Sequence, residues 1–194
     1  MKNEALFIAH IERFTNQLQA DEIASICSFF TFQTLSKKTT IQEAGMLCDR
    51  MYFVLQGCLR SYYIKENGTE QTLDFAIEQW WLTDHLAFEK QTISDLYIQT
   101  VEPSDILWIT HANFKALVDA HPMMEKYFRT LFQIASGAAQ HRLKFLYEYS
   151  REELYFHFEK QFPTFVQRIP QYLLASYLGF SPEYLSEIKK KRFS

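Results

Sequence analysis

Leu6, Phe7, His10, Ile11, Phe14 and Leu18 fall near one face of a helical wheel, and this spacing predicts an amphipathic helix over 4–19. A shorter helix follows from Asp21, with Ile23, Ile26 and Cys27 as its apolar side. From about Phe30 the period changes. Met51–Gln56 and Cys58–Ile64 are rich in β-branched and aromatic residues, and Gly57 separates them. Asn67-Gly68 then precedes Gln71–Ile77; Asn-Gly between two strands marks a hairpin, because both residues tolerate positive φ. Alternation puts Leu73, Phe75 and Ile77 on the buried face and Thr72, Asp74 and Ala76 on the other. Tyr97–Val101 and Ile106–Ile109 read as a second strand pair, turned by Glu102-Pro103-Ser104-Asp105. Residues 30–110 are therefore predicted to form an antiparallel β-roll or small barrel.

Helices resume after Thr110, a candidate N-cap, with Phe114, Leu117 and Val118 inward until His121-Pro122. The next helix is long: no proline occurs between 122 and 163, and Gly137 is the only glycine. Met124, Phe128, Leu131, Ala135, Ala138, Arg142, Phe145 and Tyr149 follow a 4-3-4-3 spacing, the period of a coiled-coil seam. The centre, Ala135-Ser-Gly-Ala-Ala139, carries little side-chain bulk. Phe128, Leu131, Ala135, Ala138, Arg142 and Phe145 are accordingly the expected dimer interface. The competing reading packs the same helix along its own β-domain. Ser150-Arg-Glu-Glu153 is a capping box that opens another helix, with Leu154, Phe158 and Phe162 inward and Pro163 at its end. The expected organisation is a β-roll with flanking helices at 1–121, a dimerisation helix at 122–149 and a C-terminal domain at 150–194, an α+β fold overall.

Composition narrows the function. The 194 residues are 47% hydrophobic and 22% charged, which excludes wholesale disorder. A formal charge of −3 gives no global attraction to nucleic acid or membrane, so any such attraction is local. Cys27, Cys48 and Cys58 lack metal-site spacing and read as free thiols of a reducing cytosol. The first residues lack a signal-peptide apolar stretch, and no segment reaches the ~18 apolar residues of a membrane span. A cytoplasmic protein with no membrane contact is expected. The six histidines are scattered singly, and no P-loop, G-x-S-x-G or G-x-G-x-x-G occurs. No catalytic residue, metal ligand or cofactor is therefore predicted, and His121 and His157 read as structural.

The most specific stretch runs from Arg168 to Arg192. Counting Gln171 as position 1, Ala175 and Gly179 occupy positions 5 and 9, and Leu174, Leu178, Phe180, Leu185 and Ile188 occupy 4, 8, 10, 15 and 18. This is the helix-turn-helix pattern. A small residue lets the helices cross, glycine supplies the left-handed turn, and five apolar positions hold the pair together. Ser181 is the expected cap of the second helix and Pro182 its first turn. With Leu185 and Ile188 inward, Pro182, Glu183, Ser186, Glu187 and Lys190 face out, where they would meet base edges in a major groove. Gln171 opens the first helix, and Lys189, Lys190, Lys191 and Arg192 supply positive charge. Five basic against two acidic residues give 168–194 a charge of +3. The expected DNA-binding set is Gln171, Ser181, Pro182, Glu183, Ser186, Glu187, Lys189, Lys190, Lys191 and Arg192, with Glu183 able to accept from cytosine N4.

The whole chain resembles the cyclic-AMP receptor/fumarate–nitrate regulator superfamily of bacterial transcription factors, and within it the short Bacteroidetes-type members. The resemblance rests on Tyr52-Phe-Val-Leu-Gln-Gly-Cys-Leu-Arg60 before the Asn67-Gly68 hairpin, on the long helix, and on Ile169-Pro-Gln and Ala175-Ser-Tyr-Leu-Gly-Phe-Ser-Pro-Glu-Tyr-Leu-Ser186. It implies a cyclic-nucleotide-binding-like β-roll (a double-stranded β-helix), a dimer helix and a helix-turn-helix domain. It further implies a homodimer on a near-palindromic duplex, an unknown small-molecule effector, and RNA polymerase as a further candidate partner. Two departures matter. The family's nucleotide binders hold phosphate with an Arg after a Gly-Glu, whereas the matching stretch Glu78–Asp95 has neither Arg nor Gly. Lys90 is its one cation, without a bidentate fork. Asp84 is the candidate replacement for the ribose-binding Glu, but nothing replaces the phosphate clamp, so cyclic nucleotide binding in the usual manner is not expected. Trp80, Trp81, Asp84 and Phe88 are instead the candidate effector pocket, the rings being equally readable as core. The second departure is Glu187, where relatives commonly carry Arg, so sequence preference does not transfer. The sequence ends two residues past Arg192, and no wing is expected beyond the reading helix. The alternatives are a β-roll regulator acting through protein or small-ligand contacts without DNA, and a cupin-like metalloenzyme.

Overall fold

The computed structural model describes residues 2–191. In chain order the elements are α1 (Lys2–Glu12), α2 (Ala20–Ser28), β1 (Thr31–Leu35), β2 (Thr40–Gln42), β3 (Arg50–Gln56), β4 (Leu59–Ile64), β5 (Glu70–Ala76), β6 (Trp81–Leu82), α3 (His85–Lys90), β7 (Tyr97–Thr100), β8 (Ser104–Thr110), α4 (His111–Ala120), α5 (Met123–Glu148), α6 (Arg151–Gln161), α7 (Pro163–Arg168), α8 (Gln171–Leu178) and α9 (Pro182–Lys191). They form two compact units. One holds the chain up to Tyr63 with Asp74–Phe132; the other holds Ile64–Leu73 with the chain from Gln133.

The first unit holds most of the β-roll. The strand orders of the two sheets are β1-β8-β3-β6 and β2-β7-β4-β5, with Glu70–Leu73 of β5 counted in the second unit. The continuous apolar run of β3 is explained by burial on both faces. Tyr52 and Val54 join Leu35, Leu59, Ala76, Leu82, Ile98 and Ile106 in one core, while Met51, Phe53 and Leu55 join a second core built with Phe7, Ile11, Ile26, Leu117 and Phe128 from the helices. Gly57 is required for packing as well as conformation. Its φ is +105°, and a Cβ there would lie 2.3 Å from Ser104 Oγ.

Four local expectations are corrected. The helix predicted over 4–19 stops at Glu12. The Ile11 carbonyl takes the amides of both Phe14 and Thr15, and the Glu12 carboxylate accepts the Leu18 amide, so Phe14 and Leu18 reach the core from a connecting loop. Tyr97–Thr100 and Ser104–Thr110 are not a hairpin: β7 pairs with β2 and β4, whereas β8 pairs with β1 and β3. A Pro-Ser-Asp turn signals a reversal without saying which sheet receives the next strand. In β5 the buried residues are Thr72 and Ala76, with Leu73, Phe75 and Ile77 only half-buried. The core around Ala76 is already filled by larger side chains from other strands, so the small residues take the inner face. Phe162 is exposed, and Tyr155 is buried beside Leu154 instead, because α6 ends at Gln161 and Phe162 leaves the helical face at φ −129°. The Asn67-Gly68 hairpin, the Thr110 cap and the Ser150 capping box form as expected.

Candidate nucleic-acid interface

The second unit carries the helix-turn-helix geometry. Helix α8 ends in a left-handed Gly179 (φ +79°, ψ +26°), with the Phe180 amide bonded back to the Ala175 carbonyl at 2.8 Å. Leu174, Ala175, Leu178, Phe180, Leu185 and Ile188 are all buried. Ser181 Oγ accepts the Tyr184 amide at 3.2 Å and Pro182 opens α9, so the start of the second helix is capped as its sequence requires.

This framework exposes one face of α9. Pro182, Glu183, Ser186, Glu187 and Lys190 are exposed, as are Gln171, Ser181 and Lys191, and Lys189 is half-buried. Arg192 lies outside the described residues. The cations are engaged within the chain. Lys189 Nζ donates to Gln171 Oε1 at 2.9 Å, and Lys191 Nζ pairs with Glu152 Oε1 at 2.6 Å, which raises the Lys191 pKa. Sequence spacing carries no sign of the Glu152 pairing, which joins residues 39 apart.

Most residues of the expected dimer seam are covered within the chain itself. Phe128 is 2% exposed and belongs to the roll core, with Leu131 packed against that core. Arg142 donates to the carbonyls of Leu73 and Tyr177 and stacks on the Tyr177 ring at 3.9 Å. Phe145 contacts the rings of His157 and Tyr149 at 4.6 and 5.6 Å. Ala135 is half-buried and only Ala138 is exposed. A 4-3-4-3 apolar spacing records that a helix face is covered, not by which chain. The exposed stripe lies about a quarter-turn round the helix: Ser136, Ala139, Leu143 and Leu146, again at 3-4-3 intervals, with Tyr147 beside it.

The four candidate effector residues do not converge. The Trp81 ring packs 5.1 Å from Phe53 and 5.4 Å from Phe128, and its Nε1–H donates to Tyr127 Oη at 3.0 Å. Phe88 is buried against His111 and Phe114. Trp80 is 47% exposed, outside both cores. Asp84 is the N-cap of α3, accepting from the Ala87 amide at 3.1 Å and from Ser94 Oγ at 2.8 Å. Trp81 and Phe88 are thus core, and both Asp84 oxygens are committed to the fold. Arg60, the nearest arginine before that segment, is buried, stacked on Tyr62 at 4.0 Å and bonded to Gln99 Oε1.

Sequence reasoning missed a buried polar chain. His10 Nδ1 lies 2.8 Å from Tyr127 Oη. Tyr127 Oη also accepts from Trp81, and with the phenol proton directed at His10 Nδ1 the imidazole is the neutral Nε2–H tautomer. Burial, and secondarily Arg13, lowers the His10 pKa to about 4. Elsewhere His121 Nε2 lies 2.8 Å from Ser25 Oγ. No group of three or more potential metal ligands occurs among the described residues, and no described helix is long and apolar enough to cross a membrane.

The geometry defines a class: a β-roll of the cyclic-nucleotide-binding type, continued by a long helix and a helix-turn-helix unit. Residues 32–121 match the family described as the cyclic nucleotide-binding domain. Solved structures of CRP/FNR regulators share the fold along most of the chain. A Eubacterium rectale chain described as a transcriptional regulator of the crp/fnr family is 16% identical, with TM-score 0.69 over 91% of this chain and 84% of that one. The c-di-GMP responsive global regulator CLP of Xanthomonas campestris is 15% identical, with TM-score 0.66 over 89% and 91%. The catabolite activator protein of Thermus thermophilus is 19% identical, with TM-score 0.57 over 94% and 85%. At these identities the likeness is one of fold. No curated protein matches the chain by sequence.

Proposed function

We propose that the chain is a homodimeric, DNA-binding transcriptional regulator of the CRP/FNR type, whose β-roll senses an effector other than a cyclic nucleotide held in the usual manner. The observation that carries this reading is the exposed face of α9, with Pro182, Glu183, Ser186, Glu187 and Lys190 presented above a buried Leu185 and Ile188. A helix so mounted fits a major groove, with Lys190, Lys191 and the capped helix start positioning it on phosphates and Glu183 contacting base edges. The exposed stripe Ser136–Ala139–Leu143–Leu146 supports pairing of two α5 helices. That pairing would present two reading helices to half-sites about one DNA turn, ~34 Å, apart. The absence of Arg from Glu78–Asp95 and the commitment of Asp84 to Ala87 and Ser94 support an unconventional effector. RNA polymerase and a cytoplasmic setting complete the reading.

A second reading, a regulator acting through protein contacts alone, is favoured by the engagement of Lys191 with Glu152 and by the exposed Glu187. Enrichment of random duplexes on the full chain in low salt separates the two. The DNA reading expects a near-palindromic motif and an affinity that falls with salt by a log–log slope of about −0.9 per neutralised phosphate. Replacing Glu183 with Gln should alter the preferred base at one position of each half-site. No enrichment in dilute salt overturns the reading.

A further inference from the structure

Strand β5 closes one edge of its sheet. The Lys65 amide bonds to the Thr69 carbonyl at 2.9 Å and closes the hairpin to β4. Backbone groups alternate in direction along a strand, and the contacts of the Thr72 amide and the Glu70 carbonyl place both on the edge away from β4. An open edge is a row of unpaired donors and acceptors. Here it is filled by a side chain of α8, which shares one compact unit with Ile64–Leu73. Ser176, in the second half of α8, accepts the Thr72 amide at 2.8 Å and donates its own proton to the Glu70 carbonyl at 2.9 Å. One hydroxyl thus does at residues 70 and 72 what a neighbouring strand would do. Gln71 Nε2 adds a bond to the Ser176 carbonyl. Arg142 of α5 joins the same point, one guanidinium nitrogen on the Leu73 carbonyl and the other on the Tyr177 carbonyl at 2.9 Å. Strand, long helix and first helix of the helix-turn-helix therefore meet through Ser176 and Arg142.

We propose that these two residues form a latch through which β5 sets the orientation of α8 relative to α5, and thereby the separation of the two reading helices in a dimer. Ser176 and Arg142 are positioning residues; neither is on the exposed face of α9. The inference rests on the DNA-binding reading and deepens it. A bivalent protein gains from its second half-site only if the geometry is held. The latched chain should accordingly prefer one half-site spacing, and an unlatched one should tolerate several at lower peak affinity.

The test is a series of duplexes bearing the enriched half-site twice, with the spacing varied base pair by base pair, together with a duplex bearing it once. Full-length wild type, Ser176→Ala and Ser176→Thr are compared, with Arg142→Leu as a second route to the unlatched form. Wild type and Ser176→Thr, which keeps the hydroxyl, should bind one spacing best. Ser176→Ala and Arg142→Leu should lose about tenfold at that spacing, flatten the profile and leave single-site affinity unchanged. Amide exchange at Thr72 should quicken in Ser176→Ala alone among the serine variants. Identical spacing profiles for wild type and Ser176→Ala overturn the inference while leaving DNA binding intact. A wild type that binds neither duplex overturns the DNA reading, and the proposed spacing role with it. Unchanged Thr72 exchange in Ser176→Ala would show that the latch itself does not form.

Discussion

Acidification should destabilise the roll through one histidine. His10 is buried, and burial, with Arg13 second, holds its ring neutral; its Nδ1 lies against Tyr127 Oη, which accepts from Trp81. Protonation would put a charge inside an aromatic core and turn Nδ1 into a donor, leaving the phenol proton without this acceptor. The folded pKa of about 4 lies below the ordinary histidine value of 6.5. A depressed folded pKa means the unfolded state binds more protons as pH falls, so the contribution is fully present above pH 6.5 and is lost on descent toward pH 4. The shift of about 2.5 units corresponds to about 3 kcal/mol at full titration, and about 2 kcal/mol is already lost at pH 5. Against a typical total of ~5–15 kcal/mol this is large. The assay is urea unfolding at pH 8, 7, 6 and 5, followed by tryptophan fluorescence. Trp80, Trp81 and Trp108 all lie in the roll unit, so the signal reports that unit alone. His10→Phe keeps a ring in place and removes the titration. The wild-type stability should drop by about 2 kcal/mol more than that of His10→Phe between pH 8 and 5. Parallel pH curves for the two proteins would refute the reasoning.

Gly57→Ala should destabilise the roll by at least ~2 kcal/mol, since its Cβ would strike Ser104; a urea midpoint shift with unchanged slope measures it. Replacing Leu143 and Leu146 with Glu should convert a dimer to monomers in sedimentation, because both are exposed apolar residues of the outer α5 stripe; a persisting dimer would place the interface elsewhere. Glu152→Gln should free Lys191 and raise affinity for non-specific duplex a few-fold in low salt, with the gain vanishing in high salt, as read by anisotropy titration.

The parts of the molecule legible in the sequence are those fixed by local chemistry. Gly179, Ala175 and Ser181 each have one backbone or steric reason to be where they are, and the structure places each accordingly. The Asn67-Gly68 turn and the Ser150 capping box are similar cases. Illegible features are those where a local signal has two global solutions. The spacing of Phe128, Leu131 and Phe145 announced a covered face, but not that the cover comes from the same chain. The turn after Val101 announced a reversal, but not a change of sheet. Trp81 and Phe88 announced aromatic density, which became core. The Ser176 contacts with β5 join residues more than 100 apart and carry no local signature at all.

The occupied edge of β5 also bears on how the protein behaves in bulk. A bare strand edge recruits another chain by backbone pairing and seeds aggregation. With Ser176 seated on Glu70 and Thr72, that part of the edge offers no template to a stranger. One hydroxyl then serves both the local geometry and the protection of the edge, and its loss would leave the Thr72 amide and the Glu70 carbonyl open to a stranger's backbone.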